Sequence, residues 1–392
     1  MPMVASARYV MYLTGQHNIV PELSLVSCIT HVALAFMSAG LFNRPNVTDH
    51  EADWPLFTTV EAVRSRFAEG TAIMIAIGGW GDPGFSEAAA SQTSRELFAQ
   101  NVKAMVDYTG ADGVDIDWEY PGGNGEDYKR APNSEKAWEI TAYPQLLSSI
   151  RSALGPSKIV SAAVPGLPRD MLAFTKDTIP LIAPSLDFFN IMTYDLANRR
   201  DNITKHHTGL VASLAAIDAY LSAGVPPDKA NLGFAFYVKW FKTSPDGGCD
   251  INPIGCKTAP GEDPATGADL GQTGAFAYHD EVPPNLAPSF RKALAHGRYD
   301  AEGGGHYYWD AAERIWWTWD TAEAIARKFP AIVEERGLGG VFAWGLGEDA
   351  MEWVHLKALT AGYRELEETD GGGGGRATAS ESLAAARSRD EL

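Results

Sequence analysis

The chain of 392 residues has little of several things, and each shortage excludes something. Basic residues are outnumbered, 32 against 50 acidic, leaving a net charge of −18. Such a balance argues against a nucleic-acid partner and against anionic membrane surfaces. There is no run of 18 apolar residues, so no transmembrane helix is expected. The N-terminus lacks a basic region followed by an apolar stretch, so no signal peptide is expected. No Gly-x-Gly-x-x-Gly follows the first apolar segment, which removes the usual mark of a dinucleotide fold.

Cysteine is scarce, with three residues. Cys28 lies in the apolar run Leu25 to Phe36 and reads as a buried free thiol. Cys249 and Cys256 flank a loop containing Gly247, Gly248, Pro253 and Gly255. That spacing leaves a disulfide or a pair of thiols open, and a disulfide needs an oxidising compartment. Without further ligands the pair is a poor zinc site. Asn46-Val47-Thr48 and Asn202-Ile203-Thr204 are glycosylation sequons that matter only in a secreted protein. Ala5-Ser6-Ala7 has the small residues of a cleavage site, and Arg389-Asp390-Glu391-Leu392 resembles an endoplasmic-reticulum retention signal. An extracellular location is the expectation, with these termini pulling in different directions.

What is abundant is apolar residue, 45% of the chain, and aromatic residue, with 11 Trp and 14 Tyr. Short apolar strands are predicted at Arg8–Leu13, His31–Met37, Ala72–Trp80, Asp112–Tyr120, Lys158–Pro165, Asp187–Tyr194, Asn231–Tyr237 and Gly340–Trp344. Helical periodicity lies between most of them, at about 58–69, 136–154, 210–223, 321–336 and 352–363. A further helix carries Phe98, Val102, Met105 and Val106 on one face, with Thr93 and Glu96 as its capping box. Eight strand–helix units imply a parallel sheet with right-handed crossovers, closed as an α/β (β/α)8 TIM barrel. An open doubly wound sheet fits less well, because polar and aromatic residues recur at strand C-terminal ends, where barrels build their sites.

The interval after strand seven is too long for a simple loop. The expected organisation is a barrel over residues 1–241 and 308–365, a small inserted α+β subdomain over 242–307, and a Gly-rich flexible tail over 366–392. The tail reading rests on acidic residues leading into Gly371–Gly375.

The most informative segment is Asp112-Gly113-Val114-Asp115-Ile116-Asp117-Trp118-Glu119-Tyr120. Apolar Val114, Ile116 and Trp118 alternate with Asp115, Asp117 and Glu119, a period of two that reads as a strand. Its second face carries three carboxylates spaced roughly 6–7 Å apart. Burial and mutual repulsion oppose full ionisation of such a row, so protons are shared along it. This suits a site that keeps one carboxylic acid protonated near neutral pH beside an ionised partner. An exposed acidic edge and a hard-cation site are the competing readings. The apolar alternate face speaks against the first, and the lack of nearby His or carbonyl-rich loop against the second.

These residues resemble the Asp-x-x-Asp-x-Asp-x-Glu signature on strand four of the family 18 glycoside hydrolases, the chitinases. Three further segments resemble that family in order: Ile77-Gly78-Gly79-Trp80 ending strand three, Met192-Thr193-Tyr194-Asp195 ending strand six, and Trp344 ending strand eight. The resemblance spans residues 8 to about 363. It implies a retaining hydrolysis assisted by the substrate's own acetamido group. Glu119 would be the general acid. Asp117 would hold the acetamido N–H, Asp115 would share its proton, and Tyr194 would hold the acetamido oxygen. Trp344 would lie under the sugar, and Asp195 would bind a hydroxyl.

Met192, Tyr12, Phe36 and Tyr237 end strands and are expected to line the pocket, with core packing as the alternative. Trp80 and Trp240 are expected to stack outer sugars. Trp316, Trp317 and Trp319 are assigned to packing between insertion and barrel, and His206 and His207 to a solvated loop. The expected substrate is chitin or chito-oligosaccharide, handled by a monomer with no cofactor and no metal. Two alternatives remain at this point: an endo-β-N-acetylglucosaminidase acting on N-glycans, and a non-catalytic chitin-binding lectin.

Overall fold

A computed structural model describes residues 7–45 and 54–371. Eight parallel strands close a barrel: β1 (Arg8–Thr14), β2 (His31–Met37), β3 (Ala72–Gly78), β4 (Gly113–Asp117), β5 (Ile159–Pro165), β6 (Phe188–Met192), β7 (Ala230–Ala235) and β13 (Gly340–Trp344). Neighbours follow chain order, and β13 lies between β7 and β1. All eight predicted strands are present, the second and eighth to the residue and the others with ends displaced by at most three residues.

Both faces of each strand are buried, and alternate residues sort into two cores. Val32, Leu34, Ile73, Ile75, Val114 and Ile116 face outward into the large core shared with the helices. Val10, Tyr12, Ala33, Met74, Ala76, Phe188 and Phe342 fill the barrel interior. Asp115 and Asp117 sit beside Ala76 and Gly78 in the β3–β4 register, and so share the interior parity. This is the physical origin of the period-two acidic row.

The helix at Gln92–Thr109 is capped by Ser91 and Ser94, which exchange side-chain and backbone bonds, instead of by Thr93 and Glu96. Placing the start at Gln92 keeps Phe98, Val102, Met105 and Val106 buried. The helix predicted at 321–336 divides into Ala322–Lys328 and a wider π turn at Phe329–Glu334. Pro330 lacks the N–H that a continuous α-helix needs there. No helix among the described residues is long and apolar enough to cross a membrane.

The excursion after β7 is a five-stranded antiparallel sheet in the order β10–β11–β12–β8–β9, comprising β8 (Tyr237–Lys242), β9 (Thr273–Ala277), β10 (Arg298–Asp300), β11 (Gly305–Asp310) and β12 (Ile315–Trp319). It reaches beyond the 242–307 interval at both ends. The cause is that only Phe236 separates the end of β7 from the start of β8, so the barrel strand runs almost directly into the inserted sheet. The helix Ala287–His296 packs on it through Phe290, whose ring meets Phe276 at 5.0 Å and Trp317 at 5.1 Å. Trp316 packs with Ala197 of the loop after β6 and donates from Nε1 to Lys205 O, joining insertion to barrel. Cys249 and Cys256 form a disulfide, and Cys28 is free.

The C-terminal helix begins at Val354, and its Leu366 is buried in the large core, one residue past the expected barrel limit. The glycine run from 372, the sequon at Asn46 and the retention-like terminus fall outside the described residues.

Candidate active site

At the C-terminal ends of the strands lies a cleft of about 540 Å³. Asp117, Glu119, Met192, Tyr194, Asp195 and Trp344 all line it. Phe36, Trp80 and Tyr237 line it as well. The insertion supplies Thr273, Phe276 and Asp280 to one wall.

Asp115 is the deepest of the acidic row and fully buried. It accepts hydrogen bonds from Ser161 Oγ at 2.5 Å, the Tyr12 hydroxyl at 2.7 Å and Asn190 Nδ2 at 3.3 Å. Burial raises its carboxyl above the usual range, and these three donors pull against that. Asp117 has no such help. Burial first, then the charges of Glu119 and Asp115, hold its carboxyl well above the usual range. Its Oδ1 is buried without a hydrogen-bond partner. Glu119 is half-buried at the strand end, and burial pushes it to about 7, with Asp195 and Asp170 adding to the rise. The row is therefore a graded set: a fully bonded carboxyl below, an acceptor with a vacant oxygen in the middle, and a carboxylic acid at the cleft.

The glycine pair beside the row has a steric cause. Gly78 has φ +108°, and a Cβ there would lie 2.2 Å from Asp117 O. Gly79 N donates to the same carbonyl at 2.9 Å. Only glycine lets β3 come this close to the backbone that carries Asp117.

Asp195 turns toward the cleft through a left-handed backbone, φ 53°, which resolves its opposite parity to Tyr194. Its Oδ1 accepts from the Tyr237 hydroxyl at 2.6 Å and pairs with Lys239 Nζ at 2.9 Å. Burial alone would raise its carboxyl; Lys239, then His207 and Tyr237, bring it below the usual range. Trp344 stacks on Phe36 at 5.4 Å and meets Tyr12 at 5.5 Å, which fixes the indole at the floor.

Three expectations need correction. Tyr12 does not line the cleft; it lies beneath it, because its hydroxyl is drawn inward to Asp115. His206 and His207 are buried instead of solvated. The inserted sheet covers the loop that carries them, and His206 Nε2 contacts Asp300 Oδ2 at 2.9 Å. Trp240 is also absent from the cleft lining and packs in the inserted sheet's core. Sequence reading missed Lys239, Asp170, Glu348, Ser161 and Asn190. The last two left a signal, since each is a polar residue inside an otherwise apolar barrel strand.

The arrangement can deliver a proton from Glu119 and accept a hydrogen bond at the Asp117 carboxylate, with Tyr194 and the Trp344 indole in the same cleft. The model for glycosyl hydrolases family 18 matches residues 8–349. The chain belongs to that family. Among curated relatives of this family 18 protein, chitinase A1 of Niallia circulans is 29% identical over 310 residues, covering 72% of the chain and 41% of the relative. Chitotriosidase-1 of Mus musculus is 27% identical over 340 residues, 82% of the chain and 67% of the relative. The family 18 chain thus spans less than half the length of the first relative and about two thirds of the second. A crystal structure of a chitinase from Rhizomucor miehei shares the fold, with TM-score 0.70 at 20% identity over 91% of this chain and 99% of the other.

Proposed function

We propose that this family 18 chain hydrolyses β-1,4 links between N-acetylglucosamine units in chitin and chito-oligosaccharides, with retention. The observation that carries the reading is the convergence of Asp117, Glu119, Tyr194 and Trp344 on one cleft, with Glu119 pushed by burial to about 7. Glu119 gives its proton to the glycosidic oxygen as the C1–O bond breaks. The acetamido oxygen of the same sugar forms the new bond to C1, giving an oxazolinium ion. Asp117 accepts the acetamido N–H and balances the positive charge, and it shares a proton with Asp115. Tyr194 donates to the acetamido oxygen and keeps it in line. Glu119, now a carboxylate, takes a proton from water, which opens the ion at C1. Holding nucleophile and carbon in one substrate contributes up to about 7–11 kcal/mol.

Trp344 supports the sugar whose bond breaks, and Asp195, kept ionised by Lys239, accepts from a hydroxyl. The scheme draws only on side chains of this chain and on the substrate's own acetamido group. The similarity to chitinase A1 and chitotriosidase-1 favours chitin over other acetamido sugars.

The test is hydrolysis of chitopentaose by wild type and Glu119→Gln, with anomers separated at early times. Formation of the β-anomer, reduced about 10²- to 10⁴-fold in the variant, is expected of a lost general acid. Equal cleavage by both proteins would overturn the reading. Binding without turnover by wild type would instead mark a lectin, and release of glycan from glycoprotein with chitin untouched an endo-β-N-acetylglucosaminidase.

A further inference from the structure

In the proposed scheme the sugar undergoing attack lies over Trp344, and Glu119 protonates the oxygen on its far side. Tyr120, Trp80 and Arg200 line the cleft with Glu119, and the leaving sugar is assigned to that stretch. Trp80, on the loop after β3, is 49% exposed and borders the cleft there. An indole this open has no packed core to fix it.

The Tyr120 ring meets it edge-on at 6.2 Å, and Arg200, from the loop after β6, lies over its face. The Arg200 guanidinium sits 5.5 Å from the Trp80 ring centre and 3.8 Å from the Tyr128 ring centre. Tyr128 in turn carries Lys129 Nζ at 5.1 Å. The result is a stack in which indole, guanidinium, phenol and ammonium alternate. Arg200 is itself anchored: its two terminal nitrogens donate to Asn124 O at 2.7 Å and Gly125 O at 2.8 Å. The Tyr128 hydroxyl donates to Glu262 Oε1, and Lys129 Nζ donates to Pro264 O at 2.9 Å. Two loops of the barrel and the segment following β8 thus converge on one exposed indole.

We propose that Arg200 is a positioning residue for the leaving-group sugar: it backs Trp80 and holds the indole's open face toward the cleft. The inference rests on the reading above and deepens it, assigning a specificity device on the leaving side of the cleaved bond. Arginine suits the task because a planar guanidinium stacks on both rings while its edge donates to two carbonyls. Lysine keeps the charge but neither the plane nor the fork.

The alternative role for Arg200 is structural, through the loop that carries Glu119. A Cβ on Gly125 would lie 2.7 Å from Glu119 O, so that loop packs against the acid's own backbone. The two roles are separated by comparing chitotetraose, which places sugar over Trp80, with β-chitobiosyl fluoride, whose leaving group is too small to reach it. Wild type, Arg200→Ala, Arg200→Lys, Trp80→Ala and the Arg200→Ala/Trp80→Ala double variant are measured on both, with thermal melting to confirm folding. We expect kcat/KM on chitotetraose to fall about three- to thirtyfold in Arg200→Ala while the fluoride loses less than about twofold. Arg200→Lys recovers part of the loss. In the double variant, removing Arg200 adds no selective loss to that of Trp80→Ala. Equal losses on both substrates, or multiplying losses in the double variant, would overturn the assignment. Failure of wild type on both substrates would instead sink the proposed function itself, and needs no variant to be seen.

Discussion

The Tyr12 hydroxyl donates to Asp115 Oδ2 across 2.7 Å of barrel interior, joining β1 to β4. Asn190 Nδ2 bonds both partners, at 3.0 Å to the tyrosine oxygen and 3.3 Å to the carboxylate. Asp115 is thereby the best-supplied carboxyl of the row, while Asp117 above it keeps one oxygen unbonded.

Tyr12→Phe should leave Asp115 short of a donor without opening a large cavity. The expected cost is about 1–3 kcal/mol, the loss typical for a buried group deprived of a partner. Asp115 also becomes harder to ionise, so the acid limb of the activity profile should move to higher pH. Urea melts and a pH–rate profile check both; a shift of the limb to lower pH would contradict the role given to the bond.

Glu119 is held at about 7, so its proton is present below that value and lost above it. Activity should decline on the alkaline side near pH 7, and on the acid side as the Asp115–Asp117 pair becomes fully protonated. Asp170 adds to the rise in Glu119. Asp170→Asn should therefore draw the alkaline limb to lower pH. A limb that stays in place in kcat/KM profiles would show that Asp170 does not act on the acid.

Burial raises Glu348 to about 8, with the charge of Asp280 adding to it. Between about pH 4.5 and 8 the native state holds a proton there that the unfolded chain has released. Rising pH in that window therefore destabilises the fold, by up to about 1.4 kcal/mol per pH unit from this group. Glu348→Gln, which cannot ionise, should be more stable than wild type at pH 8 and similar at pH 5. Denaturant midpoints at both values decide it; an equal difference at the two pH values would refute the assignment.

The Cys249–Cys256 bond closes a short loop, with a sequence separation of 7. Loop-closure entropy for so short a ring gives about 2–3 kcal/mol. Cys249→Ser/Cys256→Ser should lower the unfolding free energy by that amount, read from denaturant midpoints, while hydrolysis of β-chitobiosyl fluoride continues. Loss of turnover in a folded variant would mean that the loop reaches the site.

Deletion from residue 372 should leave stability intact, whereas deletion from 366 removes buried Leu366 and the Glu367 carboxylate that accepts from the Tyr363 hydroxyl at 2.8 Å. The second truncation should cost about 2–3 kcal/mol, the value of burying one leucine side chain. Melting of both truncations tests this.

The sequence by itself determined the barrel and the acidic row. Parallel barrel strands are buried on both faces, so they appear as apolar runs, and charge breaks the run only where a side chain points inward. That is why β2 and β13 were legible to the residue, and why Asp115, Asp117 and Glu119 stood out. The helix start at Ser91 was not legible, because Ser91 and Thr93 are both good caps. Nor were the partners of the site. Tyr12, Ser161 and Asn190 meet Asp115 from three other strands, and Lys239 reaches Asp195 from the strand that leaves the barrel for the insertion. Periodicity reports which face a residue takes, not which residue stands opposite once the sheet closes. Tertiary structure alone decided that Tyr12 bonds inward, that His207 is sealed under the inserted sheet, and that Arg200 comes to rest against Trp80. Each depends on contacts between segments far apart in the chain, whose distances are set by barrel closure and not by local sequence.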